Sequence, residues 1–186
     1  MSLLLILQSG GTSLSLVVED GTGKPDADAL VDLSVFKSYC EARGYSLTGF
    51  GDELIEPAIR RGTTYVSNAM PWRGRRTHGR DQALAWPQAE FYDAEGYLIP
   101  DNEIPVEVKA ATCEASYAEL RKPGVLSPIY DGGEQIKSKA VGPLRKEYFA
   151  PSSMPMRPVL TVIRDVLAPL LRSAGGNALV GTAVRG

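Results

Sequence analysis

A chain of 186 residues with 44% apolar side chains, 23% charged side chains and a net charge of -2 has room for one well-buried domain and is short for two. That balance excludes a disordered polyelectrolyte and a generally basic coat for nucleic acid. Cys40 and Cys113 stand far apart in apolar settings and read as small core thiols of a reducing compartment, and with His78 as the one histidine a structural zinc site has almost no ligands, so no metal or cofactor is expected.

In chain order, residues 3–7 (LLLIL) and 14–18 (LSLVV) flank a Gly/Ser joint and predict two short extended segments. Each needs a partner, in the chain's own sheet or in a neighbouring subunit. The first apolar run is too short to span a bilayer and has no Lys or Arg ahead of it, so neither an export signal nor a membrane contact is expected and the chain reads as cytoplasmic. GGTSLSL lacks the Lys-Ser/Thr pair of a phosphate loop, and EDGTGKPDAD (19–28) lacks the residue order of a calcium loop. Both are turns.

Asp32 is placed to cap a helix with Leu33, Phe36 and Cys40 on one face and Gly44 as its stop. A second helix follows Gly51-Asp52, with Ile55, Ala58, Ile59, Gly62, Tyr65, Val66 and Ala69 in register; Pro57 predicts a regular start only near Glu56, and Pro71 ends it. The stretch DQALAWPQAEFYDAEGYLIPDNEIP (81–105) has no helical or strand period and reads as a connecting belt, its turns fixed by Pro, Gly and Asp and clamped by Trp86, Phe91, Tyr92 and Tyr97. A third helix runs from Pro105 to Lys122, with small residues suited to close packing. A β-hairpin is expected near 134–149 around Val141-Gly142-Pro143, and a fourth helix over 158–173 that Pro169 kinks or ends. The fold class is therefore mainly α: a small bundle of about four helices with one β-hairpin and extended N- and C-terminal arms, divided as arm 1–20, helical domain 21–172 and arm 173–186.

The chemistry-bearing features are charges. RGRRTHGR places Arg73, Arg75, Arg76 and Arg80 directly after Trp72; such a loop is either simply solvated or a contact for DNA or an acidic protein surface. His78 has no nucleophile or carboxylate pair beside it, so no catalytic set and no enzyme are expected. Residues 90–107 hold Glu90, Asp93, Glu95, Asp101, Glu103 and Glu107 and no Lys or Arg. A basic loop and an acidic stretch so close in sequence can meet head-to-tail between copies of the chain, or stand as opposite patches on a monomer.

Four segments carry a resemblance: LVVEDGTGKPDADALVDLSVFKSYCEARG, WRGRRTHGRDQALAWPQAEFYDAEGYLIPDNEIPVEVKAAT, VGPLRKEYF and LAPLLRSAGG. In this order they resemble a tailed-phage family labelled DnaT-like single-stranded-DNA-binding protein, whose members look similar to helical head–tail connectors, also called adaptors or head-completion proteins. The residues ahead of Leu16 depart from that pattern. The connector likeness implies a structural virion protein at the neck of the particle, made in the host cytoplasm. It implies self-assembly into a ring, typically dodecameric, under the portal protein, with a tail, stopper or tail-terminator protein below and non-specific contact with packaged double-stranded DNA. The family label implies instead a single-stranded-DNA-binding accessory protein of replication. The connector is the expectation, because the aromatic residues of 81–105 lie in the acidic stretch, where phosphate is unwelcome.

Overall fold

Four α-helices carry the fold in a computed structural model that describes residues 15–127, 138–141, 144–147 and 161–171. Helix α1 spans Leu33–Ala42. The Asp32 carboxylate caps it by accepting the Val35 N–H at 2.7 Å and the Ser34 hydroxyl, bonds that hold its carboxyl below the usual range. At the other end Gly44 turns the chain at φ 69, and the Tyr45 N–H closes on the Cys40 carbonyl.

Helix α2 spans Asp52–Ala69 and starts earlier than Pro57 suggested. The Gly51 carbonyl already accepts the N–H groups of Leu54 and Ile55, so the helix is established before Pro57. The bond lost at Pro57 belongs to the carbonyl of Glu53, an exposed residue whose carbonyl water can serve. Met70 leaves the helix in extended conformation ahead of Pro71, as expected.

Helix α3, Val106–Arg121, crosses α2 where the side chains are smallest. A Cβ built on Gly62 would stand 2.3 Å from Ser116 Oγ and 2.8 Å from Ser116 N, so the two backbones touch there with no room for a methyl group. Phe36 and Cys40 of α1, Ile55 and Ile59 of α2, and Cys113 and Leu120 of α3 form one buried cluster on one side of this crossing. Helix α4, Thr161–Leu167, packs on α3 and passes at Pro169 into a single 3-10 turn, Ala168–Leu170. Along this segment Ile163, Leu167, Leu170 and Leu171 are buried, whereas Val162 is exposed; residues 158–160 of the predicted helix lie outside the described residues.

The predicted hairpin forms at Ser138–Val141 and Leu144–Glu147, paired antiparallel. The apolar segment 3–7, most of the predicted N-terminal arm (1–14 of 1–20) and the whole predicted C-terminal arm (173–186) lie outside the described residues. The second extended segment finds its partner within the chain: Val18 bridges Ala29 in parallel, and Asp28 accepts the Val17 N–H with one carboxylate oxygen while binding Arg60 of α2 with the other. Beside it, the buried Glu19 carboxylate collects the N–H groups of Gly21, Gly23 and Lys24, which closes the turn around a residue of this chain.

Two further ladders, each of two-residue strands, were not legible in the sequence. Strand β1 (Arg75–Arg76) pairs with β2 (Gln88–Ala89), and β3 (Phe91–Tyr92) pairs with β4 (Leu98–Ile99); the hairpin strands above are then β5 and β6. Together they shape the stretch between Pro71 and Pro105 that covers the second buried cluster, where Trp86 and Phe91 meet Val66, Val108, Ile163 and Leu167.

Candidate nucleic-acid interface

The 71–105 stretch is held from within by two buried glutamines. Gln82 donates from Nε2 to the carbonyls of Leu84 and Pro87 and accepts the His78 N–H on Oε1; Gln88 donates to the Ala85 carbonyl and accepts the Gly74 N–H. A primary amide carries both donors and an acceptor, so it can stand in for a missing strand, and each bond contributes about 1 kcal/mol net. Between the two glutamines the Trp86-Pro87 peptide is cis, and the Trp86 indole is fully buried against Phe91 (4.9 Å between centroids) and edge-on to Trp72 (5.6 Å). Trp72 spends its Nε1–H on the Ser67 carbonyl and bridges Leu171, so it is a wall of the core. Sequence reading missed the glutamines, because nothing in composition separates a buried amide from a solvated one.

The four arginines of the loop part company. Arg73 is anchored by Nε to the Leu171 carbonyl at 2.6 Å, and Arg76 reaches the Gln82 carbonyl. Both therefore tie the stretch down. Arg75 stands opposite Ala89 in the β1–β2 ladder and meets the Glu90 carboxylate at 3.1 Å, with the two side chains 76% and 79% exposed. Arg80 is exposed beside Gly79, which turns the chain at φ 61. An ion pair as open as Arg75–Glu90 is worth about 0–1 kcal/mol and exchanges readily with other ions.

Acidic residues divide in the same way. Asp93 Oδ1 accepts the N–H groups of Glu95 and Tyr97, both at 2.9 Å, and so closes the β3–β4 turn through Gly96. Glu90 faces Arg75, while Glu95, Asp101 and Glu103 are exposed. Within one chain a single member of each block meets the other, because β1 folds back on β2 and brings Arg75 to Glu90.

One expectation about the belt is corrected. Trp86 and Phe91 clamp it, but Tyr92 is 56% exposed and Tyr97 68% exposed, with Leu98 exposed between their strands as the cross-strand partner of Tyr92. The physical reason is the strand period of two: with Phe91 turned into the core, Tyr92 must face out. Tyr92 is thus exposed on β3 and Tyr97 in the turn ahead of β4, on the hairpin that follows the arginine-bearing β1–β2 ladder in the chain.

Elsewhere the buried Glu114 is internally paired, while the Ser67 hydroxyl on α2 and the Trp86 indole N–H are buried without a hydrogen-bond partner among the described residues. Glu114 accepts the Tyr39 and Tyr45 hydroxyls and meets Arg43 at 3.4 Å, while Tyr45 stacks on Tyr117. Burial, and after it the Glu114 carboxylate, lift the Tyr39 and Tyr45 phenols above their ordinary value. Burial likewise pushes the Cys40 thiol up to about 11 and the Cys113 thiol up to about 12, which keeps both protonated and unreactive at neutral pH. Among the described residues no group of three His, Cys, Asp or Glu could hold a metal ion, and no helix is long and apolar enough to cross a membrane.

A family model described as "Putative DnaT-like ssDNA binding protein" matches residues 14–186, and the chain belongs to that family. Neither the curated proteins nor the solved structures give a match. The family's description is of single-stranded DNA binding, which overturns the expectation of a structural head–tail connector. The ring, portal and tail partners attached to that expectation lose their support with it.

Proposed function

We propose that this DnaT-like family member binds single-stranded DNA as a non-catalytic accessory protein of DNA replication, and that the strand lies across the β3–β4 tip and the adjoining β1–β2 ladder. The carrying observation is the exposure of Tyr92 and Tyr97 on the β3–β4 hairpin, whose first strand begins one residue after Glu90, the partner of Arg75. Unpaired bases present their faces, and stacking on an aromatic side chain contributes about 1–3 kcal/mol per base with little regard to sequence. Duplex bases are already stacked, so such a tip favours the single strand.

The charge argument against this surface is reduced in three dimensions, because Glu90 is paired with Arg75; Asp93, which closes the turn, and the exposed Glu95 keep their charge at the hairpin, so base stacking rather than charge attraction carries binding there. With Arg76 engaged in the fold and Arg73 held by its Nε alone, few guanidinium groups meet phosphate, and binding should soften with salt at about 0.7 in log–log slope for each phosphate contacted.

Fluorescence anisotropy with a labelled oligothymidine and its duplex tests the reading. Tyr92→Ala and Tyr97→Ala are each expected to weaken single-strand binding at least about fivefold. Equal binding to duplex, or variants that bind like the parent chain, would contradict it.

A further inference from the structure

Resting on the reading above, we infer that Arg73, Arg75 and Glu90 form a seat for one backbone phosphate of the bound strand, and that Glu90 fills this seat in the free protein. A cleft is lined by Arg73, Gly74, Arg75, Ala89 and Glu90. Its two guanidinium groups come from residues on either side of a glycine that has no room for a side chain: a Cβ on Gly74 would stand 2.5 Å from Gln88 Oε1 and 2.7 Å from Phe91. The backbone between the arginines therefore lies flat on the glutamine pin, and nothing on it stands up into the cleft.

Arg73 is held in place by its Nε bond to Leu171, which leaves the outer nitrogens of its fork for a ligand. Arg75 turns its NH2 to Glu90 Oε2. The Glu90 backbone sits at φ 50, a left-handed conformation that few residues other than Gly, Asn and Asp adopt readily. The junction between β2 and β3 thus places a carboxylate opposite Arg75 at some conformational cost. A carboxylate and a phosphate present the same pair of oxygens to a guanidinium fork. The exposed pair is weak enough for a strand already stacked on Tyr92 and Tyr97 to displace Glu90, and the displaced carboxylate moves into water. Glu90 accordingly sets how tightly, and with what salt dependence, the strand is held.

The test uses Glu90→Asn, which keeps a residue tolerant of the left-handed backbone and removes the charge. Oligothymidine binding is measured by anisotropy across a salt series for the parent chain, E90N, R75Q and the double variant, with Glu41→Gln on α1 as a charge-matched control. E90N should bind about threefold to tenfold more tightly with a steeper salt slope, R75Q should weaken binding with a flatter one, and the two slopes should differ by about 0.7, the share of one phosphate. In the R75Q background E90N should change nothing, and E41Q should behave as the parent. Tyrosine-dependent binding with E90N unaltered, or tightening by E90N that persists without Arg75, overturns the phosphate seat alone. No binding by the parent chain and none by E90N overturns both this inference and the function it rests on.

Discussion

At the α2–α3 crossing the backbone satisfies itself in regular helices, whereas between Pro71 and Pro105 irregular turns, two-residue ladders and side chains share the task. In the crossing, helical hydrogen bonds are internal, Thr112 and Ser116 bond back to carbonyls one turn earlier, and small side chains let the helices touch at Gly62. In the 71–105 stretch, two-residue ladders leave most of the backbone without regular partners, and Gln82, Gln88 and Asp93 supply them. The first arrangement yields a close-packed wall. The second holds a loop firmly while leaving alternate side chains free to face water, and it is there that the exposed tyrosines and the open arginine lie.

The comparison breaks most decisively at Trp86. Trp86→Ala should cost about 3–5 kcal/mol in urea or guanidinium unfolding, since it empties the centre of the cluster that the stretch covers. Tyr97→Ala, in the same stretch but exposed, should change stability by less than about 0.5 kcal/mol. Comparable losses for the two would mean that the aromatic residues act as a single clamp after all.

Gly62→Ala probes the other region. The added methyl meets backbone and hydroxyl of Ser116, so the helices must separate, at about 1–3 kcal/mol, with a lowered melting temperature as the readout. Gln88→Leu removes two hydrogen bonds and strands the Gly74 N–H, for about 1–3 kcal/mol, and it should also loosen the Arg75 strand and weaken DNA binding. Gly62→Ala should not affect binding once the protein is folded.

How much of this was readable in advance follows the same divide. Ile55, Ala58, Ile59, Tyr65 and Val66 announce α2 because a helix of 18 residues repeats its apolar face several times. A strand of two residues repeats nothing, so Phe91 and Tyr92 look alike in sequence although one is buried and the other exposed. Arg73 and Arg75 likewise differ only through tertiary partners, the Leu171 carbonyl for one and Glu90 for the other. Charge summed along the sequence also does not show that Glu90 is paired with Arg75 or that Asp93 closes a turn, which depend on the fold.

The smallest expected effect is at Asp32. Its carboxyl lies below the ordinary range because the Val35 N–H and then the Ser34 hydroxyl bind the charged form. A lowered folded-state value means stability present above the unfolded carboxylate value, near about 3.9, and lost as pH falls through the lower folded-state one. Asp32→Ala should thus cost about 1 kcal/mol at neutral pH, and the difference from the parent should shrink on acidification; a gap that stayed constant to the lowest pH would show that the cap acts without its charge.

The account turns most directly on the oligothymidine affinity of the Tyr92→Ala, Tyr97→Ala double variant beside the parent chain, with melting temperatures measured on both. The parent should bind the single strand in a salt-dependent manner, and the variant should lose at least about thirtyfold in affinity with its melting temperature unchanged. Undiminished binding by a folded double variant would contradict the placement of the strand on the β3–β4 tip.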